Sequence, residues 1–243
     1  MMPPINRSLD QLIDLIDKKQ RDTIKQILVD NQELFRVAHG SSHNHQNWPG
    51  GYLDHVTECM NLAADFYMLL NSKRKLDFTL SEALVVLFLH DIEKPWRYRL
   101  NEESGQLETI PEMLDKPARA QNRNQTIASY GLVLNTRQLN AMKYVEGELD
   151  DYTPSRRMMW PLAAFCHLCD VWSARGWPNF PATYNDPWLG AKRITDIQPS
   201  KRICQDCGSY MDRRFKDQDS DNPAGYWLCQ NNDCNKYTEE PTS

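Results

Sequence analysis

Two groups of residues in this 243-residue chain have the types and spacing of metal ligands. The first group is two short-spaced cysteine pairs, Cys204 with Cys207 and Cys229 with Cys234. Each pair can chelate one side of an ion, and two such pairs form the closed four-thiolate site that structural zinc prefers. A closed site leaves no position for a substrate, so we expect one structural zinc here. Four incidental free thiols are the alternative.

The second group combines histidine and aspartate within apolar segments. His90 and Asp91 end the apolar run Ala83–Leu89, His55 lies near the start of a predicted helix, and Asp170 lies inside another apolar helix. A buried carboxylate is costly unless it has a cationic partner. The four residues therefore indicate a shared metal ion or proton, although a His-Asp dipeptide taken alone is a weak signal.

The elements that position these residues are predicted to be helices, because apolar residues recur at intervals of three and four. Ser8 and the Thr79–Glu82 capping pattern mark two helix starts, and Gly176 marks a helix end. The stretch 97–125 is predicted to be irregular, since Pro111 and Pro117 interrupt it, and strand signals are almost absent before residue 177. We expect helices at about 8–30, 53–70, 80–95, 125–147 and 160–175.

The composition changes after residue 176 and predicts three segments. Residues 1–176 form an all-α helical bundle, 177–200 a Pro-rich connector, and 201–238 a small β zinc-ribbon module. A module of about 38 residues cannot bury enough apolar surface to fold alone, so the metal would supply its folding free energy.

Charge and hydropathy exclude several classes of protein. The net charge of −5 argues against a broad surface that neutralises nucleic-acid phosphates. No stretch approaches the roughly 20 apolar residues of a membrane span, and the N-terminus has no signal-peptide core. We therefore expect a soluble, cytoplasmic protein with no membrane partner. A reducing compartment also favours metal binding over disulfides, with Cys59, Cys166 and Cys169 as small buried residues.

Three motifs resemble those of the HD-domain superfamily of metal-dependent phosphohydrolases over about residues 39–176. They are Gly50-Gly51-Tyr52-Leu53-Asp54-His55, Leu89-His90-Asp91-Ile92-Glu93-Lys94 and Ala164-x-x-His167-x-x-Asp170-x-x-x-Ala174-Arg175. The resemblance implies the HD-domain fold, with one divalent catalytic ion bound by His55, His90, Asp91 and Asp170. This ligand set suits manganese, cobalt, magnesium or iron. The chain departs from the commonest pattern at Glu93, and it lacks the extra histidines of two-metal subfamilies.

The resemblance implies that metal-bound water attacks a phosphate group. We expect Asp91 or Glu93 to orient or deprotonate that water, and Lys94 with His43 or His45 to neutralise the phosphate. Arg97 would contact the phosphate or stack on a base. Each of these residues also has an alternative without a catalytic role. Glu93 and Lys94 would then be solvated at a helix end, and the histidines would be exposed in a polar loop.

The chain also resembles, in its length, acidic balance and appended ribbon, the 5′-deoxyribonucleotidases that some tailed phages make. This similarity implies a deoxynucleoside-5′-monophosphatase, acting in the host cytoplasm on a small nucleotide substrate. A dNTP triphosphohydrolase or a 3′-5′ exonuclease with the same site is the alternative. A non-enzymatic binding module is another, because Lys201-Arg202 and Arg213-Arg214-x-Lys216 are basic, although acidic neighbours weaken a nucleic-acid role.

Overall fold

The computed structural model describes residues 6–41, 45–101, 103 and 107–176 of the chain. It also describes residues 202–204, 206–207, 210–215, 225–229, 231, 234 and 236–239. The chain divides into two compact units, one within Arg7–Ile194 and one within Thr195–Ser243. The predicted connector at 177–200 lies outside the described residues, and the boundaries at 176 and 201 stay predictions.

The larger unit is mostly helical, as the sequence predicts. Its described residues form the α-helices α1 (Leu9–Ile13), α2 (Lys18–Asp30), α3 (Gln32–Val37), α4 (Gly51–Lys73), α5 (Leu80–Leu89), α6 (Lys94–Arg97), α7 (Lys116–Ser129), α8 (Thr136–Tyr144) and α9 (Pro161–Arg175). They also form two 3₁₀ turns, Pro111–Met113 and Leu149–Asp151, and a short antiparallel hairpin of β1 (Tyr98–Leu100) and β2 (Leu107–Thr109). None of these helices has the length and apolar composition that crossing a bilayer requires.

The prediction of one helix over residues 8–30 was wrong, because the chain breaks between α1 and α2. The expected cap at Ser8 is confirmed, and its side chain accepts a hydrogen bond from the Gln11 backbone N–H at 3.3 Å. The break lies at residues 14–17, where Ile16 is buried and the Asp17 N–H donates to Ser81 Oγ at 2.9 Å. A bond to a distant segment thus replaces the helical ladder.

Helix α5 carries the second metal-ligand motif at its end. The capping box of Thr79 and Glu82 is confirmed. The helix ends at Leu89 rather than near Pro95, and the chain turns through residues 90–93 before α6 starts. Pro95 lies in the first turn of α6, where the missing N–H of proline costs no hydrogen bond. His90 continues the helical geometry of α5, and the turn that follows it brings Asp91 to within 3.2 Å of the His90 Nε2 atom.

The predicted irregular stretch 97–125 and the helix 125–147 both need correction. Helix α7 begins at Lys116, where the Asp115 side chain accepts from the Ala118 N–H at 2.7 Å and Pro117 fits in the first turn. Gly131, with a φ of 65°, ends this stretch before α8 starts at Thr136. Proline was therefore a helix-start signal at this position rather than a helix breaker.

The core lies where α4, α5, α8 and α9 pack together. Every residue from Ala83 to Leu89 in α5 is fully buried, which fits its apolar composition on all sides. The expected helix at 160–175 is confirmed as α9. Because α4, α5 and α9 each carry a predicted metal ligand, the packing of these three helices determines the geometry of the site.

The smaller unit contains a four-stranded antiparallel sheet among its described residues. Its strands follow the order β3 (Arg202–Ile203), β4 (Tyr210–Phe215), β5 (Gly225–Cys229) and β6 (Tyr237–Glu239). Met211 and Cys229 are paired across β4 and β5, and both are buried with Cys204. The sheet therefore places Cys204, which follows β3, and Cys229, which ends β5, in the same small core.

Candidate metal centre

The loop before α4 determines where the first histidine lies. Gly50 has a φ of 82°, in the left-handed region that glycine adopts without strain. A Cβ atom on Gly51 would lie 1.9 Å from the Gln46 carbonyl oxygen, so only glycine permits this close approach. Helix α4 therefore starts against the loop, and His55 is fully buried one turn later.

The structure brings the four predicted ligands together from three helical segments. The His55 Nε2 atom lies 3.1 Å from Asp170 Oδ1 and 3.5 Å from Asp91 Oδ2. The His90 Nε2 atom lies 3.2 Å from Asp91 Oδ2 and 3.5 Å from Asp170 Oδ1. Both imidazoles are buried, and the Asp170 side chain keeps 17 % exposure. Two imidazoles and two carboxylates therefore surround one point, and solvent still reaches the Asp170 side chain beside it.

The backbone determines which nitrogen His90 presents to this point. Its Nδ1 lies 2.7 Å from the Leu87 carbonyl oxygen, which can only accept, so Nδ1 carries a proton and donates it. Its Nε2 is buried and forms no hydrogen bond with the described residues, although two carboxylates lie within 3.5 Å. A buried nitrogen that faces two carboxylates and is oriented by a backbone carbonyl fits a metal ligand.

His55 is oriented by a chain of hydrogen bonds behind the site. The Ser173 hydroxyl donates to Glu58 Oε2 at 2.7 Å, so its oxygen is free to accept from His55 Nδ1 at 3.1 Å. Gln46 Nε2 also donates to Glu58 Oε2, at 2.9 Å. Because these bonds place the proton of His55 on Nδ1, the Nε2 lone pair is directed toward Asp91 and Asp170.

Sequence reasoning missed two side chains near this point. The Cys59 Sγ atom lies 3.7 Å from His55 Nε2, and its thiol joins His55, His90 and Asp170 in a set of donor atoms within 4.8 Å of one another. The spacing of four residues between His55 and Cys59 was the available signal, because it places both on one helix face. The Tyr52 hydroxyl is buried without a partner among the described residues. Burial raises its pKa, and the spacing of three residues between Tyr52 and His55 was the available signal.

Lys94 is bound to the site rather than exposed to solvent. Its Nζ lies 2.6 Å from Asp91 Oδ2, and its side chain is 10 % exposed. Burial alone would lower the pKa of Lys94, but the Asp91 carboxylate outweighs burial and raises it. Burial likewise opposes ionisation of Asp91, yet the charges of Lys94 and His90 hold its pKa well below the usual range. The metal-free site therefore contains a charged Lys94–Asp91 pair.

Glu93 is also buried, with an exposure of 2 %. Its Oε2 atom has no hydrogen-bond partner among the described residues, and Arg123 Nη1 lies 3.7 Å away. Burial raises the pKa of Glu93 to about 7, and the charge of Asp91 adds to this effect. Arg123 Nη1 donates to the His90 carbonyl oxygen at 2.9 Å, while Arg97 lines a cavity together with Glu93 and Arg123.

His45 lies beside the site, with its ring centroid 4.7 Å from that of His55. Its Nδ1 lies 2.6 Å from Gln46 Oε1. Burial lowers the pKa of His45 to about 3, so this imidazole is neutral and brings no positive charge to a phosphate. His43, the other loop histidine expected at the substrate, lies outside the described residues.

The four cysteines of the smaller unit also converge. Their sulfur atoms all lie within 4.8 Å of one another. The Cys204 and Cys234 sulfurs are 3.7 Å apart, and those of Cys207 and Cys229 are 3.5 Å apart. A tetrahedral site with Zn–S bonds of about 2.3 Å has sulfur–sulfur edges of about 3.8 Å. The spacing is therefore close to that of a four-thiolate metal site, and far longer than the roughly 2.05 Å bond of a disulfide.

Comparison with known proteins gives no family assignment, because no family model, curated protein or solved structure matches the chain. The geometry alone therefore indicates two groups of residues that could hold metal ions.

Proposed function

We propose that this chain is a metal-dependent phosphohydrolase with the HD-domain fold, which removes the 5′-phosphate from deoxynucleoside monophosphates. One observation carries the proposal: His55, His90, Asp91 and Asp170 converge, and both imidazoles have Nδ1 engaged elsewhere. The motif resemblance supplies the reaction class. A divalent ion at these residues, whether manganese, cobalt, magnesium or iron, would polarise the phosphoryl group and activate water for in-line displacement.

The surrounding residues have distinct roles in this proposal. Lys94 holds Asp91 ionised and oriented through their contact at 2.6 Å. Glu93 has a pKa near 7, so it can hold a proton at neutral pH and give it to the leaving oxygen as a general acid. His45 is neutral, and its Nδ1 is held by Gln46, so its Nε2 can accept a hydrogen bond from the attacking water.

The cysteine group has a structural role in the same proposal. Cys204, Cys207, Cys229 and Cys234 would hold one zinc ion in a ribbon, and the four thiolates would fill its coordination positions. The metal would then stabilise a sheet whose buried apolar core consists of few residues. Substrate chemistry would belong to the helical unit alone.

The experiment measures phosphate release by the full-length protein. The purified chain is incubated with each deoxynucleoside monophosphate and with added Mn²⁺, Co²⁺, Mg²⁺ or Fe²⁺, and inorganic phosphate is quantified. We expect metal-dependent release that falls by at least about 100-fold in Asp170→Asn. Asp150→Asn is the matched control, because Asp150 is exposed and lies in a 3₁₀ turn.

Two results would contradict the proposal. If the protein binds the ion at the site but releases no phosphate from any nucleotide, the site is not catalytic for this reaction. If tripolyphosphate is released from dNTPs while the monophosphates are untouched, the enzyme is a triphosphohydrolase.

A further inference from the structure

A basic cavity lies beside the candidate metal centre. Its volume is about 420 Å³, and Glu93 forms part of its wall. None of the four proposed metal ligands, and neither of the cysteine pairs, is among its described lining residues. The cavity is therefore a separate space next to the site, joined to it through Glu93 and through Arg123, which donates to the His90 carbonyl.

One wall of this cavity is strongly cationic. Lys116, Arg119 and Arg123 recur at intervals of three and four along α7, so they share one helix face. Arg97 and Lys143 add two further cations, while the acidic residues in the lining are Glu93 and Glu146. The described lining thus carries an excess of positive charge in a chain whose net charge is −5.

Several of these cations lack an acidic partner. Within the described part of the chain, no carboxylate lies within 4.0 Å of Lys116, Arg119 or Arg97, whereas Lys143 is paired with Asp151 at 2.6 Å. Arg119 donates to the Met113 and Leu114 carbonyl oxygens, at 2.9 and 2.6 Å, and these bonds leave its charge without an acidic partner. The Nε atoms of Arg97 and Arg123 are buried and have no acceptor among the described residues. Cations without an acidic partner attract an anion, so this wall of the cavity favours an anionic ligand.

The facing wall is apolar. Leu139 and Met142 of α8 lie one turn apart and line the cavity, together with Leu149. Leu139 and Leu149 keep 55 % and 56 % exposure, which leaves apolar surface without a partner. A ligand with an anionic end and a flat apolar body would match both walls.

We propose that this cavity binds a nucleoside polyphosphate, with the phosphates on the α7 cations and the base on the α8 wall. A single scissile phosphate at the metal centre would be neutralised there by the ion, because the charge of Lys94 is paired with Asp91. No proposed metal ligand lines the cavity. Its cations would therefore neutralise additional phosphate groups. The inference concerns binding and does not require the metal centre to be catalytic.

Isothermal titration calorimetry tests the proposal with the full-length protein and no added divalent ion, so that the metal centre contributes little to phosphate binding. The probes are dATP, dAMP, inorganic tripolyphosphate and inorganic phosphate. We expect dATP to bind at least tenfold more tightly than dAMP, and tripolyphosphate more tightly than phosphate. We expect Lys116→Glu to weaken dATP binding about tenfold, because it reverses a charge at the phosphates.

The control is Lys73→Glu, which changes the net charge equally. Lys73 is exposed at the end of α4, roughly 27 Å along the helix from His55. Equal binding of dATP and dAMP, or equal loss of affinity in both variants, would overturn the proposal. Unchanged dATP affinity in Lys116→Glu would overturn it as well.

The source of the polyphosphate is distinguished by adding Mn²⁺. Consumption of dATP identifies it as a substrate whose outer phosphates occupy the cavity. A change in the rate of dAMP hydrolysis while dATP is recovered intact identifies a separate ligand that acts on the site through Glu93 and Arg123. Either result supports binding in the cavity. If neither nucleotide is hydrolysed, the calorimetry alone decides whether binding occurs.

Discussion

The hydrogen-bond chain behind His55 predicts that Ser173→Ala will weaken metal binding without removing any proposed ligand. The substitution deletes the acceptor for His55 Nδ1 at 3.1 Å and the donor to Glu58 at 2.7 Å. Glu58 keeps its bond from Gln46, so most of the loss falls on the imidazole. An orientation cost of about 1.4 kcal/mol corresponds to a tenfold loss of affinity, at the lower end of the 10–100-fold range typical of residues that support metal ligands.

The assay is a competition titration of Mn²⁺ between the protein and a chelating dye. Ser173→Thr restores the hydroxyl and is expected to recover most of the affinity. Ser129→Ala is the matched control, because the Ser129 hydroxyl donates to the Thr126 carbonyl within its own helix. Thermal unfolding of the metal-free proteins identifies any loss of fold, which we expect to be about 1–3 kcal/mol for Ser173→Ala. Wild-type Mn²⁺ affinity in Ser173→Ala would refute the role assigned to the hydrogen-bond chain.

Three further substitutions test other parts of the structure. Lys94→Met leaves the Asp91 carboxylate buried without its cation, so the metal-free protein should lose about 3–5 kcal/mol in urea unfolding and regain part of it when Mn²⁺ is added; equal losses with and without Mn²⁺ would contradict this. Gly51→Ala places a Cβ against the Gln46 carbonyl, so the loop must move and phosphate release should fall at least tenfold, whereas unchanged kinetics would show that the close approach is dispensable. Cys207→Ser removes one of four thiolates, so elemental analysis should show about one zinc fewer per chain while Mn²⁺ binding in the helical unit persists; an unchanged zinc content would exclude Cys207 as a ligand.

The convergence of His55, His90, Asp91 and Asp170 could be predicted from the sequence because short motifs carry it. Each ligand lies in or beside an apolar helix, and the helices must bury those faces together. The capping box at Thr79 and the helix start at Pro161 are likewise local signals, and both are found in the structure.

Features that depend on distant segments could not be predicted in this way. The break after α1 depends on Asp17 meeting Ser81, 64 positions later. The support of His55 depends on Ser173 meeting Glu58 across 115 positions. Neither pairing has a local pattern, because hydrogen-bond partners between packed helices are fixed only when the helices dock. The early start of α7 is different, since Asp115 and Pro117 were local signals that allowed two interpretations.

The basic cavity also required the structure. Its cationic face on α7 lies in the stretch 97–125, which was predicted to be irregular. The spacing of Lys116, Arg119 and Arg123 therefore could not be assigned to one helix face. The apolar wall on α8 becomes visible only when the two helices are set beside each other. Charge counted along the chain, which is net acidic, conceals this local excess of cations.

The most direct test of the central claim is anomalous diffraction from crystals of the full-length protein soaked in Mn²⁺ and measured at the manganese absorption edge. We expect an anomalous peak in the helical unit, about 2.0–2.3 Å from His55 Nε2, His90 Nε2 and oxygens of Asp91 and Asp170. A Mn²⁺ peak bound elsewhere, with these four side chains uncoordinated, would contradict it.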